Sequence, residues 1–438
     1  MNKKITVLIA GLVLVGLIFG GGIVTNTNQS AEFLRTFNRN ASTDLDAAFY
    51  NPAGLVGLGD GFYLYVSNQT IFQTRTIESS STALAPLGFP LHDEYVGDTK
   101  AYVFPNVYLT YKKDKLAVSG GLVPIGGGGS ATYDDGLASF EALSVGLANG
   151  GLGGLGLGVS GYDLDAKFEG SSVYLGFQGT LAYAVNEMIS VAAGGRYVMA
   201  TNTYDGTLSA INFNTYVLQA PTMAGPNVPY DDVKVDVEQT ATGFAPIVSV
   251  NLTPSEGVRV ALRYEGQTAL EFENETKEDG TGSFADGEKF NDDIPAMIAA
   301  GAAYQVNDAL KAEASFTYYM NTSANWEGLE KETDNGYEAG VAFEYAVNEQ
   351  LSASAGFLYS VSGAKDTYQN DQSYSLDAYS IAAGVKYQVN ESMCLNLGVF
   401  DTFYIEGESA ATAMYPVDNK YNKTAIGVGI GIGYAVNK

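Results

Sequence analysis

The chain is short of the residues on which most catalytic and metal chemistry depends: it has one cysteine, Cys394, and one histidine, His92. A lone cysteine excludes an intramolecular disulfide and a cysteine-based metal cluster. A lone histidine in a loop leaves a Ser-His nucleophile pair without an obvious base. Basic residues are also scarce, 23 Lys and Arg against 49 Asp and Glu, for a net charge of -26. Binding a phosphate backbone needs a clustered cationic surface, so nucleic acid is excluded as a partner. Charged residues make up only 16% of the chain and proline occupies 12 positions, which fits neither a disordered chain nor an ordinary charged-surface soluble protein. Beyond the N-terminal segment no stretch approaches 18 consecutive apolar residues, which removes membrane-spanning helices. Glycine (52) and tyrosine (30) are abundant instead.

Residues 1–24 read as a secretory signal peptide, with Lys3 and Lys4 as the basic region and Ile5 to Phe19 as the apolar run. That run is shorter than the roughly 20 residues of a spanning helix. The cleavage point is poorly marked and falls between Gly20 and Ala31.

A Tyr-x-Val-Asn pattern recurs at Tyr183, Tyr304, Tyr345, Tyr387 and Tyr434. Each repeat spans two long strands and one long polar loop, whereas a propeller blade of similar length would hold four short strands. Ile426, Val428, Ile430, Ile432 and Tyr434 alternate with glycines 427, 429, 431 and 433. Period-two alternation over about ten residues, with aromatics at the strand ends, predicts transmembrane β-strands. Short turns near 112–115, 186–187, 253–257, 307–308, 348–349 and 390–391 alternate with long connections near 73–97, 126–166, 203–232, 272–292, 321–335, 362–375 and 406–420. Six turns and seven loops imply fourteen strands. The fold class is therefore all-β, a 14-stranded antiparallel transmembrane β-barrel over residues 61–438. One mismatch stands out, because such barrels commonly end on an aromatic and this chain runs four residues past Tyr434.

Residues 25–60 precede the first strand, and a barrel of this width leaves a lumen to be plugged. Within them lies Asp44-Leu45-Asp46-Ala47-Ala48-Phe49-Tyr50-Asn51-Pro52-Ala53-Gly54-Leu55. This acidic stretch followed by Asn-Pro-Ala, just before strand one of a fourteen-stranded barrel, resembles the FadL/TodX type of outer-membrane transporters. The resemblance implies an N-terminal hatch built on Asn51, Pro52, Ala53, Gly54 and Leu55, passive uptake of hydrophobic small molecules, long-chain fatty acids foremost, and a kinked third strand with sideways exit. Strand three reads KLAVSGGLVPIGGGGS, in which Pro124 removes a ladder donor and Gly126 and Gly127 cannot pack a wall, so pairing should fail there; a flexible entry into the next loop is the alternative.

The following loop carries Leu137, Phe140, Leu143, Val145 and Leu147, too apolar for a plain exposed loop. They suggest an external landing site or a short helix on the rim. Gly151-x-Gly153-x-x-Gly156 matches a dinucleotide fingerprint in letters only, since no βαβ unit surrounds it. Strand parity turns Arg196, Arg259, Arg263, Lys311 and Lys386 inward with Glu265, Glu313 and Glu344, because Arg or Lys facing mid-bilayer hydrocarbon would cost about 2–4 kcal/mol. Arg259 and Arg263, with Arg196 and Lys386, are candidates for a ligand head group; Arg35 and Arg39 of the hatch compete. Ion pairing is the alternative role for each.

The expected protein is a Gram-negative outer-membrane transporter, not an enzyme, monomeric, without cofactor or metal. Its surroundings are outer-membrane lipid and lipopolysaccharide, and its ligand is a hydrophobic small molecule. A cation-preferring porin and a structural or adhesive barrel are the alternatives.

Overall fold

The computed structural model describes residues 30–412 and 415–437, so the expected signal peptide and the start of the hatch segment lie outside it. Fourteen strands form one closed antiparallel barrel. They are β1 (Gly61–Ser80), β2 (Glu94–Lys113), β3 (Leu116–Tyr133), β4 (Leu157–Ala184) and β5 (Ile189–Val217). Next come β6 (Val233–Ser255), β7 (Val258–Glu265, resuming at Glu271–Asp279) and β8 (Lys289–Asn291, resuming at Met297–Gln305). The wall ends with β9 (Leu310–Tyr319), β10 (Gly336–Ala346), β11 (Leu351–Val361), β12 (Ala378–Asn390), β13 (Met393–Tyr404) and β14 (Asp418–Asn437). Closure pairs β14 with β1, from Gly61 opposite Asn437 to Ser80 opposite Asp418. Residues 435–437 thus have a structural use, since they complete the seam to the first residue of β1.

The alternation resolves in favour of a lipid-facing exterior. On β14 Ile426, Ile430 and Ile432 are 55%, 59% and 46% exposed, while the intervening glycines face inward and are buried. A sandwich would bury the isoleucines. Among the described residues no helix is long and apolar enough to cross a membrane.

The strands around the first four long loops overrun their expected limits. β4 and β5 are 28 and 29 residues long, well beyond the roughly 9–11 needed to cross a bilayer. The outward faces of their outer halves are polar, with Asp163, Asp165, Lys167, Glu169 and Asp205 exposed, and they stay paired because the antiparallel ladder continues with each neighbour above the membrane. The loop after β3 contains helix α1 (Ala138–Gly153), which packs on the barrel's outer end against Tyr95, Tyr133, Val159, Tyr162 and Phe168.

Two places break the wall. β2 and β3 pair from Lys113–Leu116 to Val107–Leu122 and again from Thr99–Ala131, but not between. β3 bulges twice against β4, at Pro124/Gly126 and Gly127/Gly129, and β2 bulges against β1 between Gln69 and Ile71 at the same level. The register slips on both sides, so the two edges cannot meet. Elsewhere, β6 and β7 lose pairing between Ile247–Glu265 and Thr240–Glu273. There Leu270 and Phe272 fold into the lumen, and Asp293 seals the site by accepting from the Leu270 and Asn325 amides at 2.9 and 3.1 Å.

Residues 30–58 sit inside the barrel. Their helices are one turn each, Ala31–Leu34 and Ala47–Tyr50, followed by a 3₁₀ turn from Pro52. Segments this short have no stability alone and depend on the surrounding wall. The wall admits them because its inner face is lined with glycine: a Cβ at Gly356 would fall 1.8 Å from the Thr36 carbonyl oxygen, and one at Gly301 2.5 Å from the Ala41 nitrogen. Sequence alternation thus has two purposes, bulk toward lipid and room for the plug.

Candidate functional site

The hatch has two chemically distinct faces. One is ionic. Arg35 pairs with Glu32 and Glu344 at 2.9 Å each, and Arg39 pairs with Asp46 at 2.6 Å and Asp44 at 2.7 Å. Lys386 reaches Asp44 at 3.1 Å, and Lys311 bridges Glu313 and Glu344. With Arg39 also 3.7 Å from Glu313, these contacts tie the hatch to β9, β10 and β12 through charges on both sides. Buried charges of this kind are tolerated only when paired.

The motif residues are held as firmly. Asn51 donates from Nδ2 to the Ser42 carbonyl and to Asn251 Oδ1, both at 3.0 Å. Its amide lies over Gly54, where a Cβ would come within 2.5 Å of it, so the fourth motif position admits glycine alone. Pro52 opens the 3₁₀ turn, where its missing N–H costs nothing. Ala53 is pinned at both ends, its N–H donating to Ser249 Oγ at 2.9 Å and its carbonyl accepting from Ser190 Oγ at 2.7 Å. Leu55 is fully buried.

The four wall cations expected as head-group candidates all turn inward, but toward the hatch. Arg263 donates to the Phe49 carbonyl oxygen, and its guanidinium and that of Arg196 lie 5.0 and 4.6 Å from the Phe49 ring centroid. Arg196 is also paired with Glu265, Arg259 donates to the Ala41 carbonyl at 3.2 Å, and Lys386 holds Asp44. Each has a protein partner, and none lines the large cavity described next. Their geometry is that of a clamp.

The other hatch face is apolar. Phe33 and Phe37, with ring centroids 5.1 Å apart, form the floor of a luminal cavity of about 350 Å³. Its roof is the 362–377 loop, with Tyr368, Tyr374 and Leu376. Its side opens on the β2–β3 gap through Thr99, Phe104, Gly126, Gly127 and Gly129. Pro124, Gly126 and Gly127 thus lie where the cavity meets the wall break. At Gly127 φ is +78°, and a Cβ would sit 1.9 Å from the Ser172 carbonyl oxygen.

Two cations missed by the sequence reading line this cavity. Arg75 and Lys423 face each other across the β1–β14 seam. Arg75 stacks 4.3 Å from the Tyr374 ring centroid and Lys423 4.8 Å from that of Tyr404. Neither forms an ion pair among the described residues, and Arg75 Nε is buried without a partner. Parity would have found them: Lys423 shares the inward face of glycines 427 to 433. Arg75 was hidden because residues 73–97 read as loop, whereas it lies on β1.

Above the cavity, a smaller apolar pocket of about 70 Å³ lies under helix α1, lined by Phe140, Leu143, Leu208, Val233 and Phe284 among others. Phe140 and Leu143 therefore line it, Leu137 is fully buried beneath the helix, and Leu147 does neither. The helix is fixed by Glu141, whose carboxylate accepts from Tyr95 Oη at 2.6 Å, Tyr162 Oη at 2.9 Å and the Leu91 amide at 3.1 Å. Asp371 on the roof loop caps the Ser139 amide at 2.7 Å, and burial pushes its carboxyl above the ordinary range. His92 stays on the outer loop beside Asp135.

The architecture is similar to several solved barrels. A Pseudomonas aeruginosa FadL homologue aligns over 94% of this chain and 99% of its own with a TM-score of 0.67 at 15% identity. The P. putida toluene transporter TodX gives 0.56 at 12% identity over 95% and 99%. The Ralstonia pickettii toluene transporter TbuX gives 0.53 at 14% identity over 90% and 94%. No curated protein matches the sequence significantly. The model of the outer membrane protein transport protein family (OMPP1/FadL/TodX) matches residues 166–438, more than half of the chain. With barrel, plug and wall break arranged as described, the chain belongs to this family of outer-membrane transporters for hydrophobic compounds.

Proposed function

We propose that the chain takes up long-chain fatty acids or closely similar amphipathic carboxylates, and releases them sideways through the β2–β3 gap. The observation that carries this reading is the Arg75–Lys423 pair: two adjacent cations in an aromatic-walled cavity, without an ion-pair partner among the described residues. Two like charges side by side repel unless an anion joins them. A carboxylate supplies that anion, and its alkyl chain can lie along Phe33, Phe37, Ile71 and Phe400. A hydrocarbon such as toluene, the compound named for TodX and TbuX, would leave both cations unanswered. The external pocket under α1 is suited to first contact, and the wall gap gives a path into the bilayer that avoids the acidic exterior.

Equilibrium binding of labelled oleate and of toluene to the delipidated, detergent-purified barrel tests this. Replacing both cations, Arg75→Gln with Lys423→Gln, should weaken oleate at least tenfold, about 1.4 kcal/mol, and leave toluene within twofold. Equal loss of both ligands, or of neither, would overturn the carboxylate assignment.

A further inference from the structure

The external pocket and the luminal cavity are separate spaces with three residues on both linings: Phe168, Tyr204 and Gln372. A ligand moving from one to the other must pass them. Phe168 and Tyr204 stack with centroids 6.3 Å apart and planes 16° from parallel. Phe140 closes on Phe168 from the outer side at 5.4 Å, and Phe284 on Tyr204 at 5.9 Å. In the β4–β5 ladder, Phe168 stands opposite Gly206 and Tyr204 stands opposite Gly170. Each ring therefore has a glycine as its partner across this ladder, while on the far sides Phe168 stands opposite Tyr133 of β3 and Tyr204 opposite Val237 of β6. A Cβ at Gly170 would come within 3.3 Å of the Phe168 ring, and one at Gly206 within 3.5 Å. No side chain at either position limits how the rings turn.

An ordinary core aromatic is held on all sides at crystal-like density. Phe168 and Tyr204 instead have empty volume above and below, and bare glycine backbone on the side where β4 meets β5. Gln372 has no side-chain hydrogen bond among the described residues. Phe168 and Gln372 can move without breaking a side-chain polar contact.

We infer that Phe168, Tyr204 and Gln372 form an internal gate that sets the width of hydrophobe able to pass from the external pocket to the lumen, with Gly170 and Gly206 as the clearance in which the rings swing. The proposal deepens the transporter reading, on whose entry route it rests. Flat or single-chain molecules pass by displacing one ring. Branched or fused-ring molecules need both displaced at once and are held back.

Entry rates into proteoliposomes of the full barrel, with oleate, toluene and the branched acid phytanate as probes, test this. Phe168→Ala should raise entry of the first two at least threefold and admit phytanate, which the unaltered protein discriminates against. Gly206→Val should slow entry about tenfold while equilibrium oleate binding stays within twofold. Phe168→Leu keeps the test open if the alanine variant does not assemble, and is expected to lie between the two. Unchanged rates and selectivity in the variants, or binding lost in parallel with entry in Gly206→Val, would overturn the gate. If the unaltered protein carries toluene but not oleate, the carboxylate reading fails and the gate is still judged on toluene.

Discussion

Asp44 shows how single residues decide the behaviour of the hatch. Burial pushes its carboxyl up, and Lys386, Arg39 and Lys311 more than reverse that, holding it well below the ordinary value of 3.8. A depressed carboxyl contributes docking energy that is fully present above its ordinary value and is lost as pH falls through the lower bound-state value. The Asp44 contribution to the clamp should therefore be insensitive to pH between 8 and about 4 and be lost only in stronger acid. Asp44→Asn removes the charge at every pH, and losing a charged hydrogen bond costs about 1.5–3 kcal/mol. Current flicker from single barrels in planar bilayers reads this directly. The variant at neutral pH should flicker like the unaltered protein in strong acid, and identical quiet traces for both would remove Asp44 from the clamp. The cations of this clamp were visible from parity, but their partners were not. Strand alternation gives the side of the wall, whereas Arg263 meeting the Phe49 carbonyl depends on how the hatch folds.

Among elements, β3 is the most unusual. Its two bulges insert Ile125 and Gly128 relative to β4, and the insertion throws its other edge out of register with β2. Deleting both residues keeps the inward and outward alternation, because the side-chain period is two. The shortened strand should pair with β2 further along its length and narrow the gap. Hydrophobe uptake by cells carrying this variant should fall at least tenfold with the amount of heat-modifiable barrel unchanged. Uptake at the original rate would show that the gap is not the exit. Pro124 and the glycine run announced a break in the sequence, although only the paired register shows that β3 lets go of β2 and keeps β4. Helix α1 was half legible: its apolar residues were conspicuous, while Glu141 and Asp371, which seat it, come from distant loops and strands.

For the molecule as a whole, the main question is whether the lumen conducts. A cation-preferring porin would use the acidic loops to draw ions into an open pore. Here the hatch occupies the lumen beneath the cavity, and charges on it are paired with the wall. Planar-bilayer conductance should be small for the full barrel and rise at least tenfold when residues 30–58 are deleted. High conductance with the hatch in place would favour the porin.

Period-two alternation and turn spacing were enough to determine the barrel class and the strand number, because both follow from local backbone geometry and from which side chains lipid accepts; the plug was expected from the width of such a barrel and from the family resemblance that the Asn-Pro-Ala motif carries. The tertiary structure decided everything that joins residues far apart in the chain. It assigned Arg259, Arg263, Arg196 and Lys386 to the hatch and left Arg75 and Lys423 to the cavity. It also placed Phe168 against Gly206 between two pockets. Parity says that a side chain points inward. What it meets there depends on barrel closure and on the path of the hatch, which no local pattern encodes.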